Sequence, residues 1–191
     1  RMLGLSGVAH AGYLLVAVMA SMHFAGDGDR AVWVVFFYLF IYLFASFIVF
    51  GIMGLVSLSD DSEHEAEHYE GLLGKHPWAA ICLLIGIGSL AGIPPLGGFI
   101  AKLMLFNVAF EAKLYVSLVA MVIGVVVSIY YYFGWIREIC FEPKPRFDDD
   151  EKPEDPWTKM QDIGLLKWTV LLFAFISFVF GLWQGPFGDA F

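Results

Sequence analysis

Two side chains in this sequence could handle protons from inside apolar runs. Lys102 stands within Leu96–Phe110, a stretch otherwise free of charged residues. At mid-membrane a lysine costs about 2.5–3.5 kcal/mol on insertion scales, less if it faces an aqueous cavity, pairs with an acid or gives up its proton. Such a lysine can load and release a proton. The competing role is structural, with the ammonium reaching toward the nearest interface. Pro94-Pro95 before it, with Gly97-Gly98, favours the first role, because broken helices mark ion sites in transporters. His10 lies near the middle of Met2–Met22. An imidazole titrates near neutrality and suits a proton relay. A neutral histidine bonded to a neighbouring helix is the equally open alternative. Ser6 and Tyr13 fall on the same helical face as His10 and could line a hydrated path with it, or simply satisfy it.

Other polar groups suggest less chemistry. Tyr38, Tyr42 and Ser46 are spaced by four and share one helical face, which reads as packing with bonded hydroxyls rather than a wet surface. His64-Glu65-Ala66-Glu67-His68 fits the H-E-x-x-H zinc protease pattern. That chemistry needs both histidines on one helical face, Glu65 as base and a third ligand, for which His76 is the only nearby candidate. Asp60 and Asp61 stand beside the motif, so a solvated acidic loop is the preferred reading. Asp148 to Glu151 reads as a solvating run, and Arg137 and Glu138 as interfacial anchors. Cys82 and Cys140 have neither metal spacing nor a disulfide framework. No metal or redox cofactor is expected in this chain, and no basic, aromatic-interleaved segment suggests nucleic acid.

The elements that would position Lys102 and His10 are set by composition. Hydrophobic residues make up 59 % of the 191, charged ones 16 %, and the mean hydropathy is +0.73. Soluble domains carry roughly 25 % charged residues, so the excess apolar surface calls for lipid. The net charge of −8 is concentrated in two polar loops and describes them rather than a partner. The first residue is Arg, with no charged n-region ahead of the apolar run, so a signal peptide is not expected and the chain reads as a fragment. A span needs about 20 apolar residues. The runs at about 2–22, 32–58, 78–91, 96–110, 114–136 and 165–183 predict an all-α polytopic membrane bundle of six transmembrane helices forming one domain. Helices rather than strands follow because a spanning segment must satisfy its own backbone. Prolines 94 and 95 make the third and fourth runs a discontinuous segment that should face protein rather than lipid. Six crossings put both termini on one side. The positive-inside rule then puts loop 141–164 and the Arg30 turn in the cytoplasm, and loop 59–76 outside. Trp135, Trp168 and Trp183, near span ends, are expected in the aromatic belts.

At this point the sequence resembles a known family. Arg1-Met2-Leu3-Gly4-Leu5-Ser6-Gly7-Val8-Ala9-His10-Ala11-Gly12-Tyr13-Leu14 is similar to the R-x-L-x-Y-S-S-I-x-H-x-G-Y-L segment of antiporter-like membrane subunits, departing at Leu5 and Gly7. Ser89 through Lys102 resembles their S-L-A-G-I-P-P-x-x-G-F-x-x-K segment, a long and specific match. Tyr69-Glu70-Gly71-Leu72 and Tyr130-Tyr131-Tyr132 follow the same pattern in order and spacing. The family holds the L, M and N subunits of respiratory complex I and subunits of Mrp-type cation/proton antiporters. The second run lacks the histidines or lysine that L- and M-type chains usually carry there, so the resemblance is strongest to the N-type branch. It implies most of a second inverted repeat plus a final helix. It also implies proton translocation coupled to NADH:quinone electron transfer, with Lys102 and His10 as the relay. The implied partners are other membrane subunits of complex I, the lipid bilayer and quinone bound elsewhere in the complex. The implied location is the inner membrane of a bacterium. A Mrp-type antiporter subunit, an intramembrane zinc protease and a purely structural membrane subunit are the rival readings.

Overall fold

The computed structural model describes residues 2–23, 29–57, 69–141 and 164–182. The described residues form helices and short turns, with no strand among them. The helices are α1 (Met2–His23), α2 (Asp29–Ser57), the one-turn α3 (Leu72–Lys75), α4 (Pro77–Ala91), α5 (Gly97–Glu111), α6 (Tyr115–Cys140) and α7 (Gly164–Leu182). The segments 3–23, 30–54, 115–140 and 164–182 are each long and apolar enough to cross a membrane. At 15 residues each, α4 and α5 are shorter. The chain is a multi-pass membrane bundle whose outer faces are apolar, as at Val116 on α6 and Leu5 on α1. The His64–His68 motif and Trp183 lie outside the described residues.

Local chemistry sets the break between α4 and α5. Pro77 opens α4 at a position where the missing N–H costs nothing. Gly92 closes it at φ +82°, a left-handed conformation that glycine adopts without a Cβ penalty. The Gly92 amide donates to Ser89 O at 3.1 Å, and the Ile93 amide to Gly88 O at 2.9 Å. That pair is a Schellman cap, which satisfies two of the four carbonyls a helix end leaves free. Pro94 and Pro95 follow and cannot continue the helix.

α2 shows how the two short helices run. Its first half, from Ala31 to Ile41, packs against Tyr13, Ala17 and Ala20 of α1 and Ile100, Leu105 and Val108 of α5. Its second half, from Ala45 to Ile52, packs against Ala79, Ala80, Leu83 and Ile87 of α4, Tyr132 and Ile139 of α6, and Val170 and Ala174 of α7. Small residues allow the close approach: a Cβ on Gly86 would sit 2.9 Å from Val49 Cγ2. So α4 lies beside one half of α2 and α5 beside the other.

The pair α4–α5 therefore makes a single crossing, its 15 plus 15 residues running alongside the 29 of α2. Contacts at the two ends agree. Arg30 at the start of α2 pairs with Glu111 at the end of α5 at 3.2 Å. The Gly71 amide, ahead of α3, donates to Glu138 O near the end of α6 at 3.1 Å.

This corrects the expected topology. All six apolar helices are present, but they make five crossings, so α1 begins and α7 ends on opposite sides. The end of α2 and the end of α6 therefore share one side, while most of loops 59–76 and 141–164 lies outside the described residues. Among the described residues, Lys75, Arg137 and Lys167 belong to that side, against Arg30 and Lys113 on the other. Counting apolar runs misled because a run tells length, and only packing tells whether two runs lie in series or side by side.

Trp135 is a second correction. It is buried against Tyr69, with ring centroids 5.7 Å apart, and is a core residue rather than part of a belt. Trp168 is exposed, as a belt residue would be.

Candidate functional site

Lys102 sits on α5 within two turns of the break, and only 5 % of it is exposed. Its ammonium does not snorkel. It donates to Leu90 O at 2.8 Å and Ala91 O at 2.7 Å, both in the last turn of α4. The Schellman cap uses the carbonyls of Gly88 and Ser89. Lys102 takes the two that remain, so the free end of α4 is fully satisfied. The carbonyl end of a helix also carries partial negative charge, worth roughly 0.3–1 kcal/mol to a nearby cation and more where partly buried. These contacts offset part of the cost of a lysine at this depth. The side chain packs over Gly92, where a Cβ would lie 2.8 Å from Lys102 Cδ. Its Nζ stands 5.8 Å from the centre of the Tyr13 ring.

α1 brings His10 to the same place. His10 is buried, with Nδ1 at 2.5 Å from the Tyr38 hydroxyl. Its ring lies 4.7 Å from that of Tyr42 and 5.9 Å, edge-on, from Tyr13. One turn nearer the start of α1, the buried Ser6 hydroxyl is hydrogen-bonded to the Tyr132 hydroxyl of α6. His10, Tyr38, Tyr42, Ser89, Gly98 and Lys102 all line one small cavity of about 10 Å³, close to the least that holds one water.

α5 and α7 close the far side of the break. The Gly98 amide donates to Ser89 Oγ at 3.2 Å. A Cβ at Gly98 would stand 1.7 Å from Ser89 O, so no larger residue fits there. Ser177 of α7 donates its hydroxyl to Ser89 Oγ at 3.3 Å. On the other face Pro94 and Pro95 are exposed, in contrast to the expectation that the whole segment faces protein. Neither proline has an amide hydrogen, which lessens the number of polar groups laid bare.

Structure thus puts the two candidate relay residues on one cavity, although 92 positions of sequence separate Lys102 from His10. It also joins Tyr38 to His10, as the spacing of bonded hydroxyls suggests. Ser89 and Ser177 carry no such signal, because isolated serines in apolar runs usually bond their own helix. Among the described residues no group of three or more His, Cys, Asp or Glu side chains could hold a metal ion.

Comparisons with known proteins agree on one family. Residues 1–128 match the family described as NADH:quinone oxidoreductase/Mrp antiporter, transmembrane. The chain is 45 % identical over 188 residues to NADH-quinone oxidoreductase subunit N 1 of Opitutus terrae, covering 98 % of this chain and 36 % of that protein. It is 34 % identical to NAD(P)H-quinone oxidoreductase subunit 2 from the chloroplast of Mesostigma viride, covering 97 % and 36 %. The chain thus spans about a third of the length of these relatives. A solved structure of respiratory complex I from Thermus thermophilus with bound aureothin shares its fold, with a TM-score of 0.61 at 22 % identity over 97 % of this chain and 44 % of that one.

Proposed function

We propose, from the premise that this chain belongs to the NADH:quinone oxidoreductase/Mrp antiporter transmembrane family, that it is part of an N-type subunit of a bacterial respiratory complex I. In this reading it helps move protons across the inner membrane, driven by NADH:quinone electron transfer. Other membrane subunits and lipid surround it, and quinone binds elsewhere in the complex. The resemblance of nearly the whole chain to subunit N proteins supports that choice over an antiporter. The single observation that carries the mechanism is the bonding of Lys102.

A charged lysine has three N–H donors and a neutral one has two donors and a lone pair. Lys102 commits two donors to Leu90 O and Ala91 O. The third position is left for the cavity it shares with His10. Lys102 can therefore release one proton and accept another while both carbonyl bonds persist. His10, whose Nδ1 is engaged by Tyr38, keeps its other ring nitrogen for exchange. The cavity that both groups line has about the volume of one water.

The test uses the intact complex in sealed membrane vesicles. Lys102→Ala should lower NADH-driven quinone reduction and proton uptake together in a complex that still assembles. Lys102→Arg should lower both as well, because a guanidinium keeps charge but does not deprotonate in proteins. Wild-type rates in both variants would make Lys102 a structural lysine. Transport that depends on sodium rather than NADH would move the chain to the antiporter branch.

A further inference from the structure

The final helix makes contacts at the break that lipid anchoring does not require. Ser177 is fully buried and gives its hydroxyl to Ser89 Oγ, the same oxygen that accepts the Gly98 amide. A Cβ on Gly181, one turn on, would stand 1.8 Å from Pro95 O and 2.8 Å from Leu96 Cα. A Cβ on Gly97 would stand 3.1 Å from Ser177 O. So α7 touches α4, the proline segment and the first turn of α5 within five residues of its own length. The residue it bonds, Ser89, directly precedes Leu90 and Ala91, whose carbonyls hold Lys102.

We infer that α7 positions Lys102: Ser177 pins Ser89, and the missing side chain of Gly181 lets α7 seat against the break, so that the end of α4 stays aimed at the Lys102 ammonium. Ser177 is a positioning residue, acting through Ser89, and touches neither Lys102 nor the proton. The reason such a device is useful is mechanical. Gly92 and the prolines leave no helical hydrogen-bond ladder between α4 and α5, and a helix break held by few bonds can open. A bond from a third helix fixes both halves at once. This rests on the proposed role of Lys102 in proton translocation.

The experiment compares Ser177→Ala, Ser89→Ala and the double variant in the intact complex in sealed vesicles, with Lys102→Ala run in parallel. Thr169→Val serves as a control on α7, since that hydroxyl is exposed and bonds only Leu165 O of its own helix at 2.9 Å. Proton uptake per assembled complex should fall roughly two- to tenfold in Ser177→Ala, the worth of one hydrogen bond, and the pH of half-maximal uptake should move. The double variant should be no worse than Ser89→Ala alone, because both changes remove one shared bond. Thr169→Val should match the wild type. If Ser177→Ala lowers only the amount of assembled complex, with the pH profile unmoved, α7 is a packing element and the inference is overturned. Strictly additive losses from the two serines would overturn it also. If Lys102→Ala is itself silent, the functional reading falls; if Lys102→Ala abolishes uptake and Ser177→Ala does not alter it, only this inference falls.

Discussion

At the scale of single residues, the molecule turns on how one ammonium is held. A lysine at this depth has few affordable partners, and Lys102 takes the two carbonyls that the Schellman cap leaves over. Glycines make room for it. Gly92 combines φ +82° with a Lys102 side chain at 2.8 Å from any Cβ. Gly92→Ala should thus cost at least about 1–2 kcal/mol from the left-handed backbone alone. The loss should appear as a lower unfolding midpoint of the detergent-solubilised complex. Gly98→Ala should be worse, because the clash at 1.7 Å is with backbone, which cannot swing away; no assembled subunit should be recovered. Recovery of a stable Gly98→Ala complex would show that α4 and α5 can separate. Lys102 and His10 stand out as candidates by their types, since charge and imidazole are rare in apolar runs. Their partners are backbone atoms and tyrosines, which no residue type announces.

At the scale of elements, the question is what joins α1 to α6 across the site. The Ser6–Tyr132 hydroxyl pair does so, with both groups buried. Tyr132→Phe keeps the ring and removes the bond, so it should destabilise by roughly 0.5–1.5 kcal/mol, with more if the Ser6 hydroxyl finds no other partner. Thermal unfolding monitored in the intact complex checks this. By contrast, the Arg30–Glu111 pair at the outer ends of α2 and α5 is partly exposed, and breaking it with Glu111→Gln should cost no more than about 1 kcal/mol. Helix existence could be read from the sequence because each apolar run must satisfy its own backbone in lipid. Helix ends were equally legible where Pro77 and Gly92 mark them. The pairing of helices was not, because apolar faces pack with little directionality and the small residues that decide close approach, such as Gly86 and Gly181, look alike in a sequence.

At the scale of the whole molecule, five crossings make a prediction that six would not. In a background lacking Cys82 and Cys140, Lys75→Cys and Phe141→Cys should both react with a membrane-impermeant thiol reagent from the same side of sealed vesicles. Lys113→Cys, between α5 and α6, should react only from the opposite side. Labelling of Lys75→Cys and Lys113→Cys from one side would restore a topology in which α4 and α5 cross separately. The exposed apolar faces of α1 and α6 fit a chain that spans about a third of its relatives' length.

The sequence by itself determined the helical membrane class, the broken segment and the family, and it singled out Lys102 and His10 as candidates to carry a proton. These follow from composition, run length and the rarity of ionisable groups in lipid, all of which are local properties. The tertiary structure decided that α4 and α5 share one crossing, that Lys102 is bonded to the end of α4, and that His10 opens onto the same cavity. It also brought α7 to the break through Ser177 and Gly181. Those are relations between segments far apart in the chain, 88 residues for Ser89 and Ser177 and 92 for His10 and Lys102. They are set by which small side chains let two backbones meet, and that complementarity exists only once the helices are packed.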